Sequence, residues 1–483
     1  MPIPPLWLDA RSPALEAGLA RIRAEFDVPG EHSPAALDEA AQAARAVLGA
    51  LDAGADRVDA RDVELVTIDP PGSQDLDQAV HIERRGRGWR VRYAIADVPA
   101  FVGPDGALAE EVQARGVTYY LPDERAPLHP PRIGEDAGSL LPGQDRPALL
   151  WEIDLDADGQ PERVDLRRAV VRSRAQLTYA EVQAEVDSGR ATGTLAALAE
   201  VGERRLALEA ARDGVSLDLP TQRVMADGGG FRLEHEAVVP AMGWNAQISL
   251  LTGMVAAEAM LAGGVGLLRT LPPPDPEVVA KVRCTALGLG LDWPEEASYQ
   301  SVVRGLDGSD PQEAAVLMVA ARGLRGAGYL ALVPGEPVPE DPAALRHAAV
   351  AAPYAHVTAP LRRLCDRAAL EVCLALHAGS KVPDHVLAEL TELPRAMARA
   401  RGRESGASRA AVDLVEALLL EPHVGAVVPG TVVAVGEDRS SVVLGDLAVE
   451  ATVDGVALPL GERVPLRVTG VDVTERRVAL DPA

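Results

Sequence analysis

Three carboxylates crowd into one short segment of this chain, residues 67–78. Asp69, Asp75 and Asp77 fall within nine residues, and Gln78 follows directly. Like charges repel at short range, so such a cluster is costly unless a cation lies among its members. Aspartate oxygens are hard ligands that suit Mg²⁺ or Mn²⁺. The segment therefore predicts a metal site, of the kind in which ions about 3.5–4 Å apart activate water and stabilise a leaving oxygen.

The residues before and between these aspartates predict how they are held. In residues 63–68 successive side chains alternate between two faces, as in a β-strand. Pro70-Pro71-Gly72 then turns the chain back. Asp69 would face Asp75 and Asp77 across one cavity. The spacing of two between Asp75 and Asp77 would place both on one side of an extended segment. The alternative is a solvated surface turn, in which aspartate, proline and glycine are common.

A second candidate segment lies almost 300 residues later, at residues 354–366. Pro360 is followed closely by the paired arginines Arg362 and Arg363. A guanidinium aimed at a scissile phosphate stabilises the charge that develops there. The alternative is a helix start that carries solvated arginines.

Together the two segments resemble the ribonuclease II/ribonuclease R family of 3′→5′ exoribonucleases. The family pattern of Ile-Asp, five residues and Asp-x-Asp-Asp matches Ile68–Gln78 except at its last position. Residues His356–Arg363 are similar to the family's His-Phe-Thr-Ser-Pro-Ile-Arg-Arg segment. Further similar motifs follow in the family's order across roughly residues 60–415: Ile95-Ala96-Asp97-Val98, Arg115–Pro122, Ser139–Gly143, Leu177-Thr178-Tyr179 and Leu268-Arg269.

The resemblance implies processive hydrolysis of single-stranded RNA from its 3′ end to nucleoside 5′-monophosphates. By the same resemblance the three aspartates would hold Mg²⁺, or Mn²⁺, with Gln78 at the fourth ligand position, and Arg362 would contact the scissile phosphate. Base stacking on an aromatic ring stabilises binding by about 1–3 kcal/mol and tolerates any base. The substrate-binding residues that the resemblance implies are Tyr120, which would stack on the 3′-terminal base, its neighbour Tyr119 as the alternative, Arg363 and His356.

The chain departs from the family pattern at Gln78, where the family has a fourth aspartate. A neutral amide offers an oxygen to a metal but adds no charge, so one metal position is weakened. The segment Ala246-Gln247-Ile248-Ser249 also lacks the glutamate expected to hold the RNA end. A second hypothesis therefore stays open, an RNA-binding protein that retains the fold with weakened catalysis. A third, a phosphodiesterase for small substrates, is disfavoured by the C-terminal barrel described next.

The fold class predicted is an α+β catalytic domain of the ribonuclease II type, with a small helical N-terminal domain and a C-terminal OB-fold β-barrel. Residues 1–60 carry two serine-proline helix starts, which predict a helix-turn-helix or a packing appendage in place of the family's cold-shock barrels. Residues 61–420 form the catalytic domain. In residues 421–483 valines alternate along short runs and glycines punctuate the chain between them, a pattern typical of five short strands of an OB-fold barrel.

The predicted barrel is unusual for an RNA-binding domain. It contains no aromatic residue, and its five arginines face nine acids from residue 423 to the end. We expect weak RNA binding from it, through a local strip of Arg463, Arg467, Arg476 and Arg477. The alternative is that the barrel mainly forms one wall of the RNA channel.

The bulk composition constrains the remaining properties. The net charge of −25 argues against a nucleic-acid partner, but a basic channel can run through an acidic body. Three cysteines without metal-ligand spacing indicate reduced thiols in a cytoplasmic protein. We expect no secretory signal and no membrane span. The expected partner is single-stranded RNA, bound by a monomer.

Overall fold

The computed structural model describes residues 8–9, 12–52, 56–216, 221–227, 230–236, 239–294, 296–308, 310–436, 438–444 and 449–483. The strands are β1 Leu8–Asp9, β2 Val58–Ala60, β3 Val66–Ile68, β4 Gln78–Arg85, β5 Gly88–Ala96, β6 Tyr119–Tyr120, β7 Arg125–Ala126, β8 Asp145–Leu155, β9 Pro161–Arg172, β10 Ala175–Leu177, β11 Thr221–Asp227, β12 Gly230–Glu236, β13 Gly266–Thr270, β14 Gly328–Leu332, β15 Val427–Val435, β16 Arg439–Leu444, β17 Val449–Asp454, β18 Arg463–Asp472 and β19 Arg477–Pro482. The helices are α1 Pro13–Glu25, α2 Pro34–Gly49, α3 Ala107–Arg115, α4 Tyr179–Asp187, α5 Gly193–Ala211, α6 Pro240–Gly263, α7 Pro276–Gly288, α8 Tyr299–Arg304, α9 Pro311–Ala321, α10 Leu364–His377 and α11 Asp384–Leu420.

A seven-stranded sheet in the order β10-β3-β4-β5-β8-β9-β2 is the frame of the catalytic domain. Its long central strands pair antiparallel, with Tyr93 opposite Trp151 and Ile95 opposite Leu149, all four buried. Such aromatic and aliphatic cross-strand pairs stabilise a sheet whose faces are covered. Strands β3 and β4 are neighbours, so the acidic segment between them lies at one end of the sheet.

Helical patterns dominate the sequence from Tyr179 to about Glu416, but four strands lie inside this region and correct that prediction. Strands β11 and β12 form a hairpin, and β13 pairs with β14 across 57 intervening residues. Local sequence patterns do not reveal the β13–β14 pair, because neither strand has its partner nearby in sequence. Strand β4 begins at Gln78, the last residue of the acidic segment, and buries Ala79, Val80 and Ile82.

The apolar helix α6 belongs to the interior of the catalytic domain. Among the described residues it is the one helix long and apolar enough to cross a membrane by length and composition. It packs against α5, α10 and β13, and Leu251, Ala257 and Met260 are fully buried there. The contacts of α6 are therefore those of a core helix, and its composition needs no membrane to explain it.

The N-terminal region contains the predicted helices, and each packs on a different part of the molecule. Helix α1 buries Leu15, Leu19 and Ile22 in a cluster shared with α11 and the C-terminal barrel. Helix α2 packs on α3 and contributes to the core of the catalytic domain. Residues 1–7, 10–11 and 53–55 of the predicted N-terminal domain lie outside the described residues.

The C-terminal strands confirm the predicted five-stranded barrel. They form one antiparallel sheet in the order β17-β16-β15-β18-β19, and the two edge strands approach each other. Irregular pairing between Val432 and Ala434, and between Val468 and Gly470, bends the two central strands as barrel closure requires. Of the predicted arginine strip, Arg476 is paired with Glu25 of α1 at 2.9 Å.

Candidate active site

One cavity of about 740 Å³ collects most of the predicted site residues. Its lining residues are Ile68, Asp69, Pro70, Ser73, Asp75, Asp77, Gln78, Tyr120, Leu121, Pro122, Tyr179, Val224, Asn245, Arg362, Glu404, Ser408, Ala411 and Val412. The three aspartates and Arg362 thus come together although the acidic segment and the arginine lie far apart in sequence.

Backbone hydrogen bonds fix the acidic segment at both ends. The Asp69 N–H donates to the carbonyl of Leu177 at 2.9 Å, and the carbonyl of Asp77 accepts from the Ala96 N–H at 2.9 Å. Between them, Gly72 has φ +80°, a left-handed conformation that favours glycine. The fully buried Leu76 anchors the second half, and its N–H donates to Ser139 Oγ at 2.9 Å. The segment is therefore a fixed turn rather than a solvated one.

Asp77 is the most enclosed of the three carboxylates, with 3% of its surface exposed. Its Oδ1 accepts from the Leu361 N–H at 2.7 Å, and its Oδ2 accepts from Arg362 Nε at 3.1 Å. Burial nevertheless raises the pKa of Asp77 to about 7, because these two donors do not fully replace the lost water. Asp77 is thereby the direct link between the two candidate segments.

Asp69 and Asp75 line the same cavity with different surroundings. Burial raises the pKa of Asp69 to about 6, and its Oδ2 is buried without a hydrogen-bond partner. Asp75 Oδ1 accepts from Arg125 Nη1 at 3.0 Å, and Asp75 Oδ2 accepts from the Tyr120 hydroxyl at 3.2 Å. Tyr120, which is 48% exposed, lies beside them.

Gln78, the departure from the family pattern, begins strand β4 and also lines the cavity. Its Oε1 accepts a hydrogen bond from the hydroxyl of Tyr93, a fully buried residue of the neighbouring strand β5. The amide oxygen that a metal would need is thus already engaged by a proton donor from the sheet.

The backbone of residues 360–364 is held from three sides, which fixes Arg362. The Thr118 N–H donates to the carbonyl of Arg362 at 3.1 Å, and the Leu364 N–H donates to Gly116 at 3.0 Å. Nε2 of the buried His129 lies 3.0 Å from the carbonyl oxygen of Pro360. Arg362 keeps 44% of its side chain exposed, so its guanidinium faces the cavity while its backbone is locked.

Three predicted substrate-binding residues lie outside the cavity lining. Tyr119 points to the interior, 1% exposed, with the Arg403 guanidinium 5.9 Å from its ring centre. Arg363 pairs with Asp366 at 2.8 Å. His356 Nδ1 lies 2.8 Å from the Tyr329 hydroxyl, and burial lowers the pKa of His356 well below its usual range. The strand alternation at β6 therefore separates Tyr120, which faces the cavity, from Tyr119.

A second group of potential metal ligands forms part of this buried network. One ligand atom each of His356, Cys365 and Asp366 lies within 4.8 Å of the others. The Arg363 guanidinium donates to both oxygens of Asp366, and Cys365 Sγ lies 3.4 Å from one of them. The Arg363 guanidinium already pairs with the Asp366 carboxylate. The group therefore stabilises the chain next to Arg362.

Several cavity residues were missed by the sequence reasoning. Tyr179 was noted only as part of a motif; it begins α4, which Thr178 and Glu181 cap reciprocally. Asn245 and Ser408 enter from α6 and α11. Arg125 gave no local signal, because it reaches Asp75 only through the β6–β7 pairing.

The RNB domain sequence model matches residues 57–375, about two thirds of the chain, and the model of the RNase II-type exonuclease C-terminal S1 domain matches residues 426–483. The chain belongs to the RNB-domain family of ribonucleases. Nucleases with an RNB domain are metal-dependent as a class. The predicted family and fold class are confirmed.

Named ribonucleases and exonucleases are similar over most of this chain. Ribonuclease R of Escherichia coli is 27% identical over 479 residues, which cover 88% of this chain and 57% of the relative. The exosome complex exonuclease RRP44 homolog A of Arabidopsis thaliana is 30% identical over 338 residues, or 64% of this chain and 34% of the relative. The chain thus spans little more than half the length of the E. coli relative.

Solved structures share the fold at lower sequence identity. Mycoplasma genitalium RNase R in complex with ribose methylated single-stranded RNA superimposes with a TM-score of 0.85 at 18% identity, covering 98% of this chain and 78% of that one. Yeast Ssd1, described as a pseudonuclease, superimposes with a TM-score of 0.70 at 16% identity, covering 97% and 58%. The same fold is therefore found in an RNA-bound nuclease and in a pseudonuclease.

Proposed function

We propose that this chain is a metal-dependent 3′→5′ exoribonuclease that hydrolyses single-stranded RNA processively to nucleoside 5′-monophosphates. The observation that carries the proposal is the convergence of Asp69, Asp75, Asp77 and Arg362 on one cavity, beside the exposed ring of Tyr120. Carboxylates, a guanidinium and an aromatic ring are the groups that a metal ion, a phosphate and a base require.

The carboxylates suit a divalent cation. Asp69 Oδ2 is buried without a partner, and burial raises the pKa of both Asp69 and Asp77. A cation among them would offset the desolvation that these shifts reflect. Asp69, Asp75 and Asp77 would hold Mg²⁺, with Mn²⁺ as the substitute, and Gln78 would stand at the fourth position. The bound ion would lower the pKa of water and stabilise charge on the leaving oxygen.

The protein side chains then position the RNA end. Tyr120 stacks on the 3′-terminal base, and Arg362 donates to the scissile phosphate, where it stabilises the charge that develops as water attacks phosphorus. The bond to the 3′ oxygen of the preceding nucleotide breaks, and the last nucleotide leaves as its 5′-monophosphate. His356 and Arg363 support this arrangement from behind, through Tyr329 and Asp366.

A 5′-labelled poly(A) strand incubated with Mg²⁺ tests the proposal, with Asp77→Asn as the control. Wild-type protein should shorten the label stepwise and release AMP, and Asp77→Asn should reduce the rate by at least a hundredfold. Intact label after incubation with wild-type protein would reject the proposal.

A second candidate is an RNA-binding protein that has kept the fold with weakened catalysis. Gln78 favours it, because its amide oxygen is engaged by Tyr93 and it adds no negative charge. In that case the labelled strand stays intact while it binds wild-type protein and Asp77→Asn equally well.

We also propose a role for each domain and the state in which the protein acts. Residues 1–60, 61–420 and 421–483 act as an N-terminal helical region, the catalytic domain and an RNA-binding barrel. The protein works as a cytoplasmic monomer on single-stranded RNA.

A further inference from the structure

Arg269 of strand β13 is a buried cation. The residue is 4% exposed, and no carboxylate among the described residues pairs with its guanidinium. Its one side-chain hydrogen bond to them runs from Nη1 to the carbonyl of Gly328 at 3.2 Å, and its Cζ lies 4.7 Å from the ring centre of Tyr329. A guanidinium has five N–H donors, so most of them remain for a ligand. A buried charge is costly without a partner, and an anion would supply one.

A second arginine, Arg401 of helix α11, lies close to Arg269. Strand β14, the partner of β13, packs on α11. Arg401 is exposed and forms no ion pair within the part of the chain that the structure describes. Burial lowers the pKa of Arg269, and the positive charge of Arg401 lowers it further. Burial and the same two arginines lower the pKa of His347 to about 4. Both guanidinium groups therefore act on one small region.

Two acids of the neighbouring elements are engaged elsewhere. The Asp366 carboxylate accepts from the Arg363 guanidinium at both of its oxygens. Glu404, about one turn after Arg401 on α11, lines the cavity and accepts from the Ser408 hydroxyl at 3.1 Å. Neither acid is paired with Arg269 or Arg401, so the two arginines keep a positive potential in their region.

Tyr354 lies close to both this region and the cavity. Burial raises the pKa of Tyr354, and the charges of Arg269 and of the cavity residue Arg362 are among those that oppose the rise. The ring packs tightly on α6 at Gly253, where an added Cβ would lie 2.1 Å from Cε2 of Tyr354. Asn245, about two turns earlier on α6, lines the cavity. The arginine pair is therefore a neighbour of the acidic centre, although it does not line the same cavity.

Helix α11 gives the position of the pair relative to the barrel. The second half of α11 packs with the barrel, and Val412, Ser408 and Glu404 line the cavity in that order along the helix. Arg401 follows, about 4.5 Å further from the barrel at a rise of about 1.5 Å per residue. A strand that enters from the barrel would thus meet the cavity before it met Arg401. The pair lies beyond the acidic centre as seen from the incoming RNA.

We infer that Arg269 and Arg401 form a binding site for the phosphate group of the released nucleoside 5′-monophosphate. This inference rests on the proposed function, because the ligand is the product of that reaction. A phosphate monoester carries a charge of about −1.5 to −2 at pH 7. The carboxylates of the acidic centre repel this charge once the phosphodiester bond has broken, and the two guanidinium groups attract it. The pair draws the product away from the centre as the next nucleotide advances.

Calorimetric titration with AMP, in the presence of a chelator, tests the site without turnover. The proteins are the full chain as wild type, Arg401→Gln, Arg269→Gln and the matched control Arg399→Gln, which changes another exposed arginine of α11. Adenosine and inorganic phosphate separate the contribution of the base from that of the phosphate. An oligo(A) strand separates the released nucleotide from the phosphates of the chain. Circular dichroism checks that each variant is folded.

Wild-type protein should bind AMP at least tenfold more tightly than adenosine, and inorganic phosphate should compete with AMP. We expect Arg401→Gln to weaken AMP binding at least fivefold and Arg269→Gln at least tenfold, with Arg399→Gln unchanged and oligo(A) affinity the same in all four proteins. Equal AMP affinity in wild type and Arg401→Gln would overturn the inference. So would an equal loss of oligo(A) binding, because the site would then hold a phosphate of the chain. If Arg269→Gln does not fold, the exposed Arg401→Gln decides.

The labelled poly(A) assay on the same proteins separates this inference from the proposed function. AMP binding that depends on Arg401, in a protein that leaves poly(A) intact, would support the phosphate site and reject the nuclease. A nuclease whose AMP affinity is the same in Arg401→Gln and Arg399→Gln would reject the site alone.

Discussion

At the scale of residues, Asp77 links the two halves of the site. It joins the acidic segment to Arg362 across 285 residues, and it is buried while doing so. Burial disfavours its charged form more than Arg362 and the Leu361 N–H favour it, which is why its pKa is raised. The stability of the metal-free protein must therefore depend on pH through this residue.

The unfolding free energy of metal-free protein should fall as pH rises from about 4 to 7. Below that window Asp77 is protonated in both states; within it the unfolded chain, with its ordinary pKa of 3.8, releases a proton that the folded chain still holds up to about 7. Asp77→Asn removes this titration, so wild type should lose on the order of 1–3 kcal/mol more than the variant between pH 5 and 8. Urea unfolding with a chelator measures this.

The exposed Asp105→Asn is the control for that series and should follow the wild-type curve. Parallel curves for wild type and Asp77→Asn would contradict the pKa shift.

Residue types and spacing were sufficient to select the aspartates and Arg362 as candidates, because the family pattern records their order along the chain, and the structure places all four in one cavity. Two other outcomes needed the structure. Tyr119 and Tyr120 are equivalent in sequence, and only the direction of strand β6 decides between them. Arg125 reaches Asp75 through the pairing of two-residue strands, too short to leave a periodic pattern.

At the scale of elements, the segment before α10 positions Arg362. His129 supports the backbone of this segment, although no sequence pattern indicated that role. The imidazole is 1% exposed, and burial lowers the pKa of His129 to about 3. It is therefore neutral at physiological pH and can donate a single proton, from Nε2, to the carbonyl of Pro360 at 3.0 Å. His129 is thus a positioning residue for Arg362, which lies two positions after Pro360.

His129→Leu should lower kcat about tenfold with little change in KM, because Arg362 loses its fixed orientation while the RNA contacts remain. It should also cost about 1–3 kcal/mol of stability by leaving the Pro360 carbonyl unpaired. His129→Gln retains a donor at the same distance along the side chain and should recover most of kcat. Steady-state kinetics and urea unfolding measure both effects.

His385→Leu, a change at an exposed histidine on α11, should leave both quantities unaltered. A His129→Gln variant as slow as His129→Leu would show that shape, rather than the hydrogen bond, matters at this position.

At the scale of the molecule, α1 connects the barrel, the long helix α11 and the rim of the site. Leu19 and Leu414 belong to one cluster that continues into the barrel, and Arg476 of the barrel pairs with Glu25. Arg23 pairs with Asp123, in the turn between Tyr120 and Arg125. Deleting residues 1–60 would therefore remove core residues as well as any influence on RNA entry, and a point change is the better test.

Leu19→Ala should destabilise the protein by about 2–5 kcal/mol, because a fully enclosed leucine is replaced by a cavity. Since the cluster spans α1, α11 and the barrel, unfolding should stay a single transition in which barrel and catalytic domain are lost together. Leu37→Ala, at a leucine of α2 that is 43% exposed, is the matched control and should change stability by less than about 0.5 kcal/mol. Thermal unfolding followed by calorimetry measures both. A separate low-temperature transition in Leu19→Ala, with the catalytic domain unaffected, would mean that α1 stabilises the barrel alone.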